Sequence, residues 1–360
     1  MVRRVVRTMI SETRPDEAAL LRGMLEISSL SGEERPLAEY VCAEMGRRGL
    51  RAYVDAAGNA VGELGEEGPL VVLLGHMDTA SGHVPVRREG DLLYGRGAVD
   101  AKGPLAAFIC AAARIGPRAG VRLAVVGAVE EESATSRGAR HAATVYRPDA
   151  CVIGEPSNWD RVTLGYKGRL LVDYALRQGA AHTAGNVSTA SERAVAFWNG
   201  VAALTAAPDG ARAFERLSPT LRHIQGDSDG IADTARLSLS LRLPPGCDTR
   251  ILREDIRRLA GDAETCFSGD EPAYRAPKNT ALVRAFLAAI RGHGGTPAFA
   301  LKTGTSDMNI VGPVWNCPIL AYGPGDSSLD HTPHEHIALA EYGRAIGVLT
   351  DALPRLSAPA

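Results

Sequence analysis

A few of the 9 histidines and 42 acidic residues in this 360-residue chain stand where they could do chemistry together. Gly75-His76-Met77-Asp78 closes one apolar run, and Glu130-Glu131-Glu132 closes a second. Gly154-Glu155-Pro156 closes a third, and Asp330-His331-Thr332-Pro333-His334-Glu335-His336 follows a fourth. A further carboxylate, Asp100, ends Tyr94-Gly95-Arg96-Gly97-Ala98-Val99 just before an alanine-rich stretch. Each piece alone is an ordinary solvated turn. Gathered near a core, such carboxylates are costly unless a cation offsets them. Imidazole and carboxylate without a thiolate suit Zn²⁺ or its divalent neighbours better than Ca²⁺ or Mg²⁺. Two divalent ions balance Asp100, Glu132, Glu155 and one hydroxide, so charge favours a pair of ions, which one carboxylate such as Asp100 can bridge.

These residues can meet only if strand ends converge. Leu70–Leu74 is a continuous apolar run, the mark of a buried parallel strand, and Val121–Val129, Cys151–Ile153 and Ile319–Tyr322 read as three more buried strands. Strands of an open α/β sheet present their carboxyl ends to the ligand crevice. Helical periodicity starts near Asp16, with Ala19, Leu20, Leu21, Met24 and Leu25 on one side. A second helix fits Glu33–Arg47, with Ser31 as a candidate N-cap. Arg51–Leu64 reads as a hairpin around Gly58-Asn59, and Gly103–Ile115 as an alanine-rich helix. From about Gly168 the pattern becomes alternating. RLLVDYALRQ, Leu221–Gln225 and ARLSLSLRL (235–243) read as strands, with helices near Ser191–Leu204 and Arg250–Leu259. An antiparallel sheet backed by two helices follows. The chain therefore divides into an α/β domain at 1–165 and 276–360 and an inserted α+β domain at 166–275. The helix Thr280–Arg291 returns to the first.

Composition bounds the function. The formal net charge of −2 gives no polyanion-binding footprint, so no nucleic-acid partner is expected. No apolar run approaches the roughly 20 residues a membrane helix needs, and no signal-peptide core stands near the start. The first ten residues, MVRRVVRTMI, are basic and irregular, and Met9 is an equal candidate for the start. Six cysteines form no C-x-x-C pair and read as reduced thiols of a cytoplasmic protein. Only four of the 40 basic residues are lysines, so Lys302 stands out; Lys302, Arg242 and Asp307 are candidates for holding a substrate. The Gly226-Asp227-Ser228-Asp229-Gly230 run hints at calcium, but Ser238 occupies the position of the closing glutamate.

The segments GHMDT (75–79), YGRGAVDAKG (94–103), VEEES (129–133), GEPS (154–157) and GAAHTAG (179–185) resemble, in that order, the acetylornithine deacetylase, succinyl-diaminopimelate desuccinylase and aminoacylase family of zinc amidohydrolases. The similarity spans nearly the whole chain. It implies a zinc-exopeptidase-like mixed-sheet catalytic domain with an inserted ferredoxin-like lid and dimerisation domain. It also implies two Zn²⁺ per subunit, with Co²⁺ as a substitute. His76, Asp100 and Glu155 match the ligands of one ion, and Asp100, Glu132 and His331 those of the other. His331 is preferred to His334 and His336 for its spacing to Glu335. Asp78 matches the carboxylate behind the first histidine, fixing its tautomer. Glu131 matches the general base, the pair being aligned as Glu131-Glu132 by its spacing to Gly138. The peptide Asp100-Ala101 matches one that is cis in the family.

His182 resembles the residue that reaches into the partner subunit's site to stabilise an oxyanion, so a homodimer through 166–275 is expected. Many relatives carry an Asn where Asp229 stands here. KTGTSDMN (302–309) and YGPGDSSLDH (322–331) resemble one branch most, the hydrolases that release lysine or ornithine from an acidic amino-group carrier protein. A carrier of that charge suits an arginine-rich chain. Acetylornithine deacetylase, dipeptidase and aminoacylase activity are the alternatives within the family. A non-catalytic binding relative is the alternative outside it, and the full set of ligands and base argues against that.

Overall fold

The structure is a computed structural model that describes residues 14–180, 185–206 and 210–357. His182 and the first ten residues lie outside the described residues. The strands, in chain order, are β1 (Arg51–Val54), β2 (Ala60–Leu64), β3 (Leu70–His76), β4 (Arg87–Glu89), β5 (Leu92–Tyr94), β6 (Arg122–Ala128), β7 (Ala150–Gly154), β8 (Arg161–Tyr166), β9 (Gly168–Gly179), β10 (Ser218–Ser228), β11 (Ala232–Leu243), β12 (Glu264–Glu271), β13 (Tyr274–Arg275), β14 (Ala298–Lys302), β15 (Ile319–Ala321) and β16 (His336–Ala338). The helices are α1 (Pro15–Glu26), α2 (Arg35–Arg47), α3 (Lys102–Ile115), α4 (Arg137–Val145), α5 (Ala190–Leu204), α6 (Thr249–Ala260), α7 (Ala281–Gly292), α8 (Met308–Trp315) and α9 (Leu339–Ala352). They fall into two compact units. One comprises the chain through Gly165, Ala276–Leu301 and everything from Ser306 on; the other comprises Tyr166–Arg275 with Lys302–Thr305.

The first unit is built on a mixed sheet ordered β1-β2-β6-β3-β7-β15-β8. Its centre is parallel: Val72 of β3 faces Ala124 of β6 on one side and Cys151 of β7 on the other. From Val71 to His76, β3 is buried throughout, as its unbroken apolar run requires. Helix α3 covers this centre and buries every residue from Lys102 to Ala112. The approach is close because Gly154 lacks a side chain: a Cβ there would stand 2.8 Å from the Phe108 ring. β3, β6 and β7 therefore end side by side, and their C-terminal ends deliver His76, the Glu130–Glu132 loop and Glu155 to one place.

The second unit runs β9-α5-β10-β11-α6-β12, folded as an antiparallel sheet ordered β10-β11-β9-β12. This is the antiparallel sheet with two helices that the alternating pattern implied, in the ferredoxin-like arrangement that the family resemblance implied. Leu170, Val172, Tyr174 and Leu176 of β9 and Leu237, Leu239 and Leu241 of β11 point to one face, where Phe197, Val201, Leu252 and Ile256 of the two helices cover them.

Several elements differ from expectation. Helix α2 starts at Arg35, with Glu34 as its N-cap residue. Ser31 is not the cap, because the chain turns at Gly32 (φ +90°) and the Ser31 hydroxyl is committed elsewhere. Strand β10 is about twice the predicted Leu221–Gln225 segment; its exposed, polar outer half carries no apolar signal. The Gly226–Gly230 run ends β10 and enters the β10–β11 turn, where Asp229 accepts the Ile231 and Ala232 amides at 2.8 and 2.7 Å.

Candidate metal centre

His76 is the last residue of β3 and is fully buried. Its Nδ1 donates to the Asp78 main-chain oxygen at 2.9 Å. Its Nε2 is thereby turned toward Asp100 Oδ1 at 3.2 Å and Glu155 Oε1 at 3.9 Å. Asp78 was expected to fix the tautomer through its carboxylate, but Oδ1 lies 3.6 Å from the ring. That carboxylate instead accepts the Glu131 amide at 3.0 Å, the Glu132 amide at 2.9 Å and the Ser31 hydroxyl at 2.7 Å. Asp78 thus orients His76 through its main chain and the Glu131-Glu132 turn through its side chain.

Glu34 extends this brace. Its buried carboxylate accepts the Glu130 amide at 3.0 Å and the Gly32 amide at 2.9 Å. Neither Ser31 nor Glu34 was singled out as functional from the sequence. They touch residues 47 and 96 positions away, beyond what local pattern reveals. On the far side of the turn, Asn59 donates to Gly138 O and accepts the Val129 amide, both at 3.1 Å. A side chain at Gly138 would collide with Asn59 and with the Val129 main chain, so the spacing from Glu131 to this glycine has a steric origin.

The remaining ligands come from loops. Asp100 follows the Gly95–Val99 turn, and its peptide bond to Ala101 is cis. Glu155 follows β7 and is buried. Its neighbourhood is tied to β15 through Tyr322 N to Ile153 O at 2.9 Å and Ser157 N to Gly323 O at 3.0 Å. His331 places Nε2 2.8 Å from Glu132 Oε1 and 3.1 Å from Asp100 Oδ2.

Two triads result, His76–Asp100–Glu155 and Asp100–Glu132–His331, each with its ligand atoms within 4.8 Å of one another. Asp100 belongs to both, with one oxygen toward each histidine. The donor set is two imidazoles and three carboxylates without sulfur, which fits a pair of Zn²⁺-like cations.

The electrostatics point the same way. Hydrogen bonds to Asp100 and Glu132 push His331 up to about 10. Burial works against the charged His76 ring, but Asp100 and Asp78 outweigh it and raise its pKa well above the ordinary value. Burial would also raise Asp100, yet the two histidines hold its carboxyl well below the usual range. Burial, then the charges of Asp100 and Glu131, raise Glu155 far above that range. Glu131 is raised by burial and by Asp307, Glu132 and Asp100. Protons on these groups thus supply positive charge that bound cations would supply instead.

The three candidates for substrate contact separate. Asp307 belongs to the first unit, buried at the start of α8, where its charge acts on Glu131. Arg242 and Lys302 belong to the second unit. Arg242 donates to Thr305 Oγ1 at 3.1 Å, and the Lys302 main-chain oxygen accepts the Lys167 amide at 3.2 Å.

The chain belongs to the Peptidase family M20/M25/M40, whose profile matches residues 72–355. It is a metal-dependent hydrolase. Its sequence is 48% identical over 356 residues to a Deinococcus radiodurans protein named [LysW]-lysine hydrolase, covering 95% of this chain and 98% of the relative. A Sulfurisphaera tokodaii protein named [LysW]-lysine/[LysW]-ornithine hydrolase is 30% identical over 79% of this chain and 81% of its own. The M20 family metallo-carboxypeptidase Sso-CP2 from Sulfolobus solfataricus has the same fold, with a TM-score of 0.81 at 18% identity over 96% of this chain and 100% of that one. Bacillus subtilis YXEP, described as a dinuclear metal binding peptidase from the M20 family, gives 0.68 at 14% identity, covering 95% and 96%.

Proposed function

We propose that this enzyme hydrolyses the amide between the C-terminal glutamate side chain of an acidic amino-group carrier protein and the α-amine of lysine or ornithine. This would be the last step of lysine or arginine biosynthesis in the cytoplasm. The observation that carries the reading is Glu131, held by Asp78 beside two ligand triads that share Asp100. The near-complete overlap with the Deinococcus lysine hydrolase supports the substrate.

His76, Asp100 and Glu155 would hold one Zn²⁺ and Asp100, Glu132 and His331 the other, with Co²⁺ as a substitute. Bound there, the cations would polarise the amide carbonyl and acidify a water. Glu131 takes a proton from the attacking water. The water oxygen bonds to the carbonyl carbon, the C–N bond breaks, and Glu131 returns the proton to the departing amine. The products are a free carrier carboxylate and the amino acid. His182 is the expected oxyanion donor, typically worth about 2.7–4 kcal/mol. A homodimer through 166–275 brings it to the neighbouring site. Strand β10 supports that arrangement: it is one edge of its sheet, 11 residues long, with Ile224 45% exposed.

The test offers the Zn²⁺- or Co²⁺-loaded enzyme carrier-linked lysine, carrier-linked ornithine, N-acetylornithine and a dipeptide side by side. The carrier-linked substrates are expected to have the highest kcat/KM. Preference for N-acetylornithine or the dipeptide would overturn the reading.

A further inference from the structure

The two triads are not equally anchored. His76 and Glu155 are buried at the ends of adjacent core strands. His331 sits in a loop, its side chain 50% exposed and its backbone at φ +59°, a region non-glycine residues rarely adopt. Something other than a strand must hold it.

The ion pair of Arg96 and Glu335 does so, and neither residue is a ligand. Glu335 is 1% exposed. Its Oε1 accepts the amides of Val99 at 3.0 Å and Asp100 at 3.1 Å, and its Oε2 accepts Arg96 Nη1 at 2.7 Å. The same Arg96 nitrogen donates to the carbonyl of Thr332, the residue after His331, at 3.3 Å, and Arg96 Nε donates to Gly82 O at 3.0 Å. One buried pair thus clamps the backbone of Asp100 and the backbone beside His331, which lie 231 positions apart in the chain. Such charge-assisted bonds are strong and directional, and partners behind metal ligands tune affinity as the ligands themselves do.

We propose that Arg96 and Glu335 are positioning residues that weigh more on the Asp100–Glu132–His331 site, where they hold the backbone at or beside two of the three ligands, than on the His76–Asp100–Glu155 site, where they hold only that of the shared Asp100 and strand ends hold the rest. This rests on the two-ion reading above. Lysine at position 96 keeps the charge but cannot span Glu335, Thr332 and Gly82 together. Glutamine at position 335 keeps an oxygen for the two amides but turns a donor toward Arg96.

The test titrates metal-free protein with Co²⁺, following visible absorption and heat. His331→Ala provides the spectrum of the strand-anchored ion alone. Wild type is expected to take two ions. In Arg96→Lys and Glu335→Gln the first should bind within about threefold of wild type with the His331→Ala spectrum, and the second about 10–100-fold more weakly. Equal weakening of both ions, or no change in either, would overturn the inference. Loss of fold in both variants, seen by circular dichroism, would also overturn it, since the pair would then be a general structural bond. A wild type that binds one ion would instead sink the two-ion reading itself.

Discussion

Glu131 and His331 carry the sharpest expectations for single residues. If Glu131 is the base proposed above and not a ligand, Glu131→Gln should retain its metal while kcat falls about 10²–10⁴-fold. Metal analysis and steady-state kinetics on one preparation check this, and full activity would remove Glu131 from the role of base. His331 gives a pH signature. Asp100 and Glu132 lift it to about 10 when no cation is bound, so at pH 7 the ring holds a proton that a metal must displace. Zn²⁺ binding at pH 7 is expected to release protons, seen as heats that differ among buffers of different ionisation enthalpy, and to tighten as pH rises. Binding without proton release would show that His331 is not a ligand. The sign for stability is opposite. The folded pKa exceeds the ordinary value near 6.5, so the metal-free protein has this contribution in full below about pH 6.5 and loses it as pH climbs to about 10.

Elements decide whether those residues stay in place. Gly138 opens α4 against the end of β6, and Gly138→Ala forces a methyl group into Asn59 and Val129. The expected cost is about 1–3 kcal/mol, read as a lower Tm, with reduced kcat because the same contacts hold the Glu131-Glu132 turn. An unchanged Tm would show that the turn tolerates the shift. The buried strands are readable in the sequence because uninterrupted runs such as LVVLL admit few other interpretations. Their terminal residues are readable because ligand chemistry restricts them to a few types. Three things are not. Asp78 holds His76 through a main-chain oxygen, which leaves no mark on residue type. Ser31 and Glu34 act over long sequence separations, and their local spacing looked like an ordinary helix start. Helix α8 contains Gly312 and Pro313, and β14 is largely exposed, so neither has the periodicity that identifies an element.

At the scale of the whole molecule, the proposed homodimer is tested at the β10 edge of the second unit's sheet. Ile224→Asp places a charge on that edge and is expected to shift the protein toward monomer in analytical ultracentrifugation. Activity should fall with dimer content, since the expected His182 contribution comes from the other subunit. A dimer that persists would move the interface elsewhere. The second unit also has an untidy seam. Lys302–Thr305 leaves the first unit for four residues, gives Lys167 its main-chain acceptor and Arg242 its hydroxyl, and returns. Two cuts at 166 and 275 would sever those bonds. Anyone transplanting this unit between relatives must therefore carry a third, distant splice, and chimeras made without it would fail for reasons unrelated to catalysis.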